Sequence, residues 1–191
     1  MTRMPLNLPN LVTLLRILLI PLIVGVFYLP DAWLGEQGKN IAATAIFVVA
    51  AITDWLDGYL ARKLNQMSAF GAFFDPVADK LVVIGALIVL LHLNRVDMVV
   101  ALIIIGREIA ISALREWMAQ LGQARSVAVA FIGKLKTVLQ MVAIPLLLYE
   151  DPLFGLVECH ALGTVLIYVA AVLTVVSMLY YLRKAMPLMR G

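Results

Sequence analysis

Long apolar segments alternate with short polar stretches along the whole chain. Six such segments can be counted, at residues 11–29, 40–59, 77–93, 96–114, 127–149 and 162–182. Each is close to the ~20 residues that an α-helix needs to cross the hydrocarbon core of a bilayer. The pattern therefore predicts an all-α fold, a bundle of six transmembrane helices, with a tight turn at residues 92–95 between the third and fourth.

The composition agrees with this prediction. Of the 191 residues, 63% are hydrophobic and 14% are charged, whereas about 25% of the residues are charged in an ordinary soluble domain. No internal repeat, low-complexity tract or separate soluble region interrupts the pattern. We therefore expect one integral-membrane domain over residues 1–191, surrounded by membrane lipids and without a nucleic-acid partner.

Basic residues favour one side of the predicted bundle. The loops on one side contain Lys39 and Arg95 together with several acidic residues. The termini and loops on the other side hold the remaining cations that we use to orient the chain: Arg3, Arg16, Arg62, Lys63, Arg115, Arg125, Lys134, Lys136, Arg183, Lys184 and Arg190. Because cytoplasmic loops of membrane proteins are enriched in Lys and Arg, we expect both termini in the cytoplasm.

Four aspartates lie where the second and third segments approach the same cytoplasmic loop: Asp54, Asp57, Asp75 and Asp79. The spacings i,i+3 and i,i+4 each place two carboxylates on one helix face. We expect Pro76 in the first turn of the third helix, and all four carboxylates at one depth of the membrane. Ionisable residues in membrane segments are costly and usually functional. Structural ion pairs are the alternative, but the neighbouring Arg62 and Lys63 would offset only two of the four negative charges.

This acidic cluster has the chemistry of a metal site. Carboxylate oxygens suit Mg²⁺ or Mn²⁺ better than Zn²⁺, and two divalent cations would offset the four charges. Gly58 lies one turn after Asp54, where a missing side chain lets a ligand approach the backbone, although small residues also line helix interfaces in membranes. Arg62, one turn further along, can bind phosphate with its guanidinium fork. These residues together indicate a metal-bound diphosphate.

The fixed residues of this region form a longer pattern, Asp-x₂-Asp-Gly-x₂-Ala-Arg-x₈-Gly-x₃-Asp-x₃-Asp, which runs from Asp54 through Ala61 and Gly71 to Asp79. The pattern resembles the signature of the CDP-alcohol phosphatidyltransferases, and the resemblance extends over the whole chain. It implies a six-helix membrane enzyme, a homodimer, and two metal ions held by the four aspartates. It further implies that the last aspartate is the general base. Three contacts to the donor nucleotide are also implied: Gly58, Arg62 and Ser68.

Other stretches, at residues 7–16, 106–109, 114–116 and 133–137, resemble bacterial members of this family that use glycerol 3-phosphate as acceptor. That acceptor is a small dianion, and we expect four residues to bind it: Arg107, Lys134, Lys136 and Arg115. For the lysines, attraction to lipid headgroups is the alternative, and Arg115 could simply be interfacial. For Arg107 the alternative is an internal ion pair, although adjacent residues on a helix do not face each other, which argues against Glu108 as its partner.

The start of the first segment carries two further candidates. Asn10 and Thr13 lie one helical turn apart at the predicted cytoplasmic end. We expect them to contact the CDP-diacylglycerol donor, and helix capping is the alternative.

The resemblance implies transfer of the phosphatidyl group from CDP-diacylglycerol to glycerol 3-phosphate, with release of CMP, at an active site on the cytoplasmic face of a bacterial inner membrane. One alternative is the same chemistry with phosphatidylglycerol, serine or an inositol phosphate as acceptor. A second alternative is a cation transporter. Transporters usually bind their ions near the bilayer midplane and often contain internal repeats, whereas these acidic residues lie toward one face and no repeat is evident.

Overall fold

Six α-helices make up the described structure. The computed structural model describes residues 8–63, 69–122, 131–153 and 155–189, except for the side chains at positions 8, 9, 55, 57–62, 69, 70, 72, 131, 188 and 189. The helices are α1 (Leu8–Gly25), α2 (Glu36–Lys63), α3 (Ala69–His92), α4 (Met98–Gln120), α5 (Phe131–Tyr149) and α6 (Cys159–Met189). A 3₁₀ turn, Val26–Tyr28, follows α1, and an isolated antiparallel bridge joins Leu153 to Val157. The all-α prediction is confirmed for these residues.

The start of α3 differs from the sequence-based expectation. The helix begins at Ala69, eight residues before the apolar segment predicted to begin at residue 77. The first-turn position expected for Pro76 is therefore wrong, since Pro76 lies well inside α3. Hydropathy marks where the chain becomes apolar, whereas a helix continues for as long as its backbone can form hydrogen bonds. Pro76 supplies no N–H to the carbonyl four residues earlier, so one bond of the helical ladder is missing beside the two aspartates.

The predicted tight turn between α3 and α4 is confirmed. Asn94 adopts the left-handed conformation with φ 57°, which Asn tolerates better than most residues. Asp97 caps α4, because its side chain accepts a hydrogen bond from the Val99 N–H at 2.8 Å. A turn this short holds α3 and α4 as neighbouring antiparallel helices.

Apolar packing holds the bundle together around α1, α2, α3 and α5. Helix α1 packs against α2 and α3, and α5 packs against α2 and α6. The centre of this core is fully buried and contains Ile23, Phe47, Leu87, Leu90, Ile104, Ile144 and Leu147. A second, smaller cluster lies between α4 and α6 and contains Ile111, Leu114, Met118, Tyr181 and Ala185. The two clusters fix the helices whose polar faces form the candidate site.

Two glycines allow helices to approach closely. A Cβ added at Gly163 of α6 would lie 2.8 Å from Leu147 Cγ on α5. A Cβ added at Gly85 of α3 would lie 3.2 Å from Ile20 Cγ2 on α1. Small residues at such contacts let the backbones of membrane helices come together and gain dispersion energy. The approach of α1 to α3 brings the polar face of α1 against the aspartates of α3.

Three helices in the described part of the chain are long and apolar enough to cross a membrane. They cover Asn10–Tyr28, Ile132–Tyr149 and Cys159–Pro187. Their outer faces expose large apolar side chains, for example Leu18, Val165 and Val172 at 60–63%. Helices α2, α3 and α4 carry the acidic residues of the candidate site. Exposed apolar surface on this scale indicates a membrane protein, because soluble monomers rarely expose large apolar patches to water.

Arg95 is a buried structural residue, although its position in a polar turn suggests only a solvent-exposed charge. It is 6% exposed and donates hydrogen bonds to Asn40 Oδ1 at 3.0 Å and to the Leu148 carbonyl at 2.9 Å. It also forms an ion pair with Glu150. This single side chain therefore connects the start of α2, the α3–α4 turn and the end of α5, at the end of the bundle opposite the aspartates.

Candidate active site

One face of α1 is polar within an otherwise apolar helix. Asn10, Thr13 and Arg16 follow one another at intervals of three residues, so they share a helix face. All three are buried, at 3%, 1% and 1% exposure. A buried polar face of this kind requires hydrogen-bonding partners, because burying polar groups without them costs free energy.

The aspartates of α2 and α3 supply such partners to Thr13 and Arg16. The Arg16 guanidinium donates from Nη1 to Asp54 Oδ1 at 2.9 Å and also to Asp79 Oδ1. The Thr13 hydroxyl donates to Asp75 Oδ1 at 2.6 Å. Arg16 thus connects carboxylates from two different helices. The side chains of Asp54 and Asp79 remain 40% and 41% exposed, so each also faces open space.

The remaining residues predicted for this cluster lie partly beyond what the structure describes. Asp57, Gly58 and Arg62 belong to the final turns of α2, but their side-chain positions are outside the described residues. Ser68 also falls outside them. Within the described ranges, no three His, Cys, Asp or Glu side chains are close enough together to hold a metal ion.

Arg16 is the functional candidate that the sequence reasoning missed. From the sequence, Arg16 contributes to the charge that orients the chain and ends the family-like stretch 7–16, but it is assigned no part in the site. Its position carried a stronger signal, because it lies inside the first apolar segment and continues the three-residue spacing of Asn10 and Thr13. A charged residue at that depth is costly unless it is paired.

A cavity of about 890 Å³ opens beside Asp54 and Asp79. Residues of α2, α3, α4, α5 and α6 line it. The four residues predicted to bind the acceptor are all among them: Arg107, Arg115, Lys134 and Lys136. The structure therefore places these cations and two of the aspartates around one space.

Glu108 lies at the centre of the cationic wall of this cavity. Its Oε1 accepts a hydrogen bond from Arg107 Nη1 at 3.0 Å and also pairs with Lys136 Nζ. The Lys136 side chain is only 1% exposed, and its Nζ also donates to Gln140 Oε1 at 3.3 Å. The expectation that Arg107 and Glu108 do not face each other is wrong. Both side chains are long enough to turn toward the cavity, although their Cβ atoms point in different directions.

An apolar groove of about 320 Å³ adjoins the polar cavity. It lies between α2 and α5 and is lined by Phe47, Val48, Ala51, Ile52, Met141 and Pro145. Met141 also lines the polar cavity, and Ile52 precedes Asp54 by only two residues. The arrangement suits a molecule with a charged head and an apolar tail.

Comparison with known proteins agrees with this chemistry. The sequence pattern of the CDP-alcohol phosphatidyltransferases matches residues 6–176. The chain belongs to this family. It is 51% identical over 184 residues to the CDP-diacylglycerol--glycerol-3-phosphate 3-phosphatidyltransferase of Shigella flexneri serotype 5b (strain 8401), with 95% of this chain and 96% of that protein covered. The proteins of the same name from Shigella boydii serotype 4 (strain Sb227) and Escherichia coli (strain K12) match to the same extent.

CDP-alcohol phosphatidyltransferases generally depend on a divalent metal, and the described part of the site contributes two converging carboxylates, Asp54 and Asp79, of the kind that binds such a cation. The donor atoms are carboxylate oxygens, which hard divalent ions prefer. Asp54 and Asp79 already converge on one positively charged group, since both accept from the same Nη1 of Arg16. The carboxylates from α2 and α3 are therefore arranged to share a cation, and their exposed sides face the cavity.

Proposed function

We propose that this chain transfers the phosphatidyl group from CDP-diacylglycerol to glycerol 3-phosphate, giving phosphatidylglycerophosphate and CMP. The observation that carries the proposal is the single cavity lined by Asp54 and Asp79 on one side and by four cations on the other. One side suits a metal-bound diphosphate, and the other suits a phosphate-bearing acceptor. The relatives at 51% identity are named for this reaction.

The acceptor would bind at the wall formed by α4 and α5. Four cationic and two acidic side chains of these helices line the cavity, a net charge of plus two when all are ionised: Arg107, Arg115, Lys134 and Lys136 against Glu108 and Glu116. Glycerol 3-phosphate is a dianion, so its charge matches that surplus. An uncharged or zwitterionic acceptor would leave one of the two positive charges of Arg107 and Lys136 without an opposite charge, because both pair with the single carboxylate of Glu108.

The donor would bind at the end of the cavity nearest α1 and α2. We assign its nucleotide and diphosphate to five residues: Asn10, Thr13, Gly58, Arg62 and Ser68. The hydrogen bond from Thr13 to Asp75 supports an indirect part for Thr13, in which it orients a carboxylate. The apolar groove beside Met141 supports a lipid donor, because an acyl chain can leave the polar cavity there without crossing water.

In the transfer, Asp79 would take the proton from the C1 hydroxyl of glycerol 3-phosphate. The freed oxygen forms a bond to the phosphorus that carries the diacylglycerol, and the bond from that phosphorus to the CMP oxygen breaks. Arg16 holds the Asp79 carboxylate in place, and Arg62 would stabilise the charge on departing CMP. Two divalent cations, Mg²⁺ or Mn²⁺, held by Asp54, Asp57, Asp75 and Asp79, would supply charge stabilisation to the diphosphate.

The membrane arrangement extends this proposal. We infer six membrane crossings in one domain covering residues 1–191, with both termini and the cavity on the cytoplasmic side of a bacterial inner membrane. The distribution of Lys and Arg supports this orientation. The assignment as a homodimer is supported by family resemblance.

An acceptor panel tests the proposal. Purified protein is given CDP-diacylglycerol and, in turn, glycerol 3-phosphate, glycerol, serine, phosphatidylglycerol or an inositol phosphate, and CMP release is measured. We expect release with glycerol 3-phosphate only. Release with another acceptor alone would contradict the acceptor assignment, and absence of metal-dependent CMP release with every acceptor would favour a cation transporter.

A further inference from the structure

Glu108 lies between Arg107 and Lys136, two of the cations proposed to bind the acceptor, but the proposed function gives Glu108 itself no role. It is the acidic partner of both Arg107 and Lys136. Its side chain is 18% exposed and lines the same cavity as Asp54 and Asp79. A carboxylate beside an anion-binding site repels the anion, so its presence at the centre of this wall requires an explanation.

The burial of its two partners provides one. The Lys136 side chain is 1% exposed and that of Arg107 is 10% exposed. Two cations so close together repel each other, and both lose hydration on burial. One carboxylate between them offsets one charge and leaves the other for a ligand. Without it, the two side chains would separate or turn toward water.

Arg107 shows where that ligand would bind. Its Nη1 donates to Glu108, whereas its buried Nε has no hydrogen-bond partner in the described part of the chain. Buried donors are almost always satisfied in folded proteins, because leaving one without a partner is costly. Since Arg107 lines the cavity, an oxyanion there would supply the acceptor atom.

We propose that Glu108 is the positioning residue of the acceptor site, which holds Arg107 and Lys136 side by side so that both meet one phosphate monoester dianion. This inference rests on the proposed function, because it treats the α4–α5 wall as the acceptor site. The chemistry of the ligand is a phosphate group, either inorganic or carried by a small alcohol. Glu108 would act through the two cations and would not itself contact the phosphate.

The test compares Glu108→Gln with Glu116→Gln. Both variants remove one negative charge from the same cavity wall, but Glu116 is exposed and forms no described ion pair with Arg107 or Lys136. We expect Glu108→Gln to raise the KM for glycerol 3-phosphate by about tenfold or more, since the negative charge that strengthens the hydrogen bonds from Arg107 and Lys136 is lost, with the KM for CDP-diacylglycerol within about twofold. Glu116→Gln should leave the acceptor KM unchanged or slightly lower, because a net positive charge is gained.

Glu108→Asp keeps the charge and shortens the side chain by one methylene. We expect it to raise the acceptor KM by less than Glu108→Gln does, and it provides a measurable variant if Glu108→Gln does not fold. An unchanged or lower acceptor KM in Glu108→Gln, equal to that of Glu116→Gln, would overturn the positioning role. Equal rises in both KM values would also overturn it, because they would indicate a structural part only.

Direct binding of inorganic phosphate separates this inference from the proposed function. The melting temperature of each purified protein is measured with increasing phosphate. We expect stabilisation of the wild-type protein and of Glu116→Gln, and much weaker stabilisation of Glu108→Gln. If the wild-type protein fails to use glycerol 3-phosphate but shows this phosphate response, the proposed acceptor is wrong and Glu108 still positions a phosphate site. Equal phosphate responses in all three proteins overturn the inference.

Discussion

The two sides of the cavity are built on the same plan with opposite signs. On the acidic side, one cation, Arg16, lies between two carboxylates, Asp54 and Asp79. On the cationic side, one carboxylate, Glu108, lies between two cations, Arg107 and Lys136. In each case the inner residue offsets part of the charge of its neighbours and leaves a surplus facing the cavity.

The difference between the two sides lies in burial. On the acidic side, the outer residues Asp54 and Asp79 are about 40% exposed and the inner residue Arg16 is buried. On the cationic side, the outer residue Lys136 is almost completely buried and the inner residue Glu108 is partly exposed. The acidic side therefore presents its surplus charge to incoming ions, while the cationic side holds it inside the wall. This difference in burial suits the acidic side to exchangeable cations and the cationic side to one small anion of fixed position.

Removal of divalent cations should lower the activity more than any substitution, and it tests the acidic side of the cavity. We expect exhaustive treatment with EDTA to abolish CMP release from CDP-diacylglycerol, and Mg²⁺ or Mn²⁺ to restore it, because the carboxylates favour hard divalent ions. A control sample given EDTA already saturated with Mg²⁺ should keep its activity. Undiminished CMP release after chelation would contradict the metal assignment on the acidic side.

The second prediction concerns Asp79. We expect Asp79→Asn to lower turnover by ~10²–10⁴-fold while the purified protein remains folded, since a lost general base has an effect of that size. The measurement is CMP release at saturating substrate across a range of pH. Asp31→Asn is the matched control, because Asp31 is an exposed aspartate that pairs with Lys39 in the loop after α1. Substantial activity of Asp79→Asn at any pH would reject the assignment as base.

Substitutions on the cationic side should act on the acceptor and not on the donor. We expect Arg107→Ala and Lys136→Ala to raise the KM for glycerol 3-phosphate by about ten- to a hundred-fold, since a charge-assisted contact is worth ~1.5–3 kcal/mol. Lys134→Ala should have a smaller effect, because Lys134 is exposed and solvent screens its charge. Each substrate is varied separately at a saturating level of the other. An unchanged acceptor KM in all three variants would contradict the glycerol 3-phosphate site.

The sequence predicted the helices and the placement of these charges better than it predicted their pairing. Hydropathy located all six helices, because apolar length is a direct requirement of the bilayer. It misplaced the start of α3, because Asp75 and Pro76 lie before the continuous apolar run and are nevertheless helical. The spacing of the aspartates is a local property of each helix and could be read directly.

The partners of the two inner residues could not be predicted in this way, because these contacts join side chains far apart in sequence. Arg16 contacts an aspartate 63 positions away, and Glu108 contacts a lysine 28 positions away. The rule that adjacent helical residues do not face each other describes Cβ directions, and it does not limit the reach of a long arginine or glutamate side chain. Arg95 shows the same limit, since its buried contacts with α2 and α5 could not be inferred from its position in a turn.

The smallest expected effect concerns Arg16, and it tests whether the acidic side needs its inner cation when metal is present. Removing one partner of a fully buried ion pair costs ~3–5 kcal/mol. Asp54 and Asp79 are about 40% exposed, so solvent screening reduces this and we expect about 1–2 kcal/mol. For a chain of this size that corresponds to a melting temperature about 3–6 °C lower. We expect Arg16→Gln to show this loss in EDTA and to recover much of it in Mg²⁺, because a divalent cation can offset the same carboxylates.

Arg95→Gln is the matched control, since it removes a buried arginine at the opposite end of the bundle, and its loss should be equal in EDTA and Mg²⁺. The measurement is thermal unfolding of the purified variants in both conditions. If Arg16→Gln shows the same difference between EDTA and Mg²⁺ as the wild-type protein, Arg16 does not share the carboxylates with the metal, and the symmetry between the two sides of the cavity is not functional.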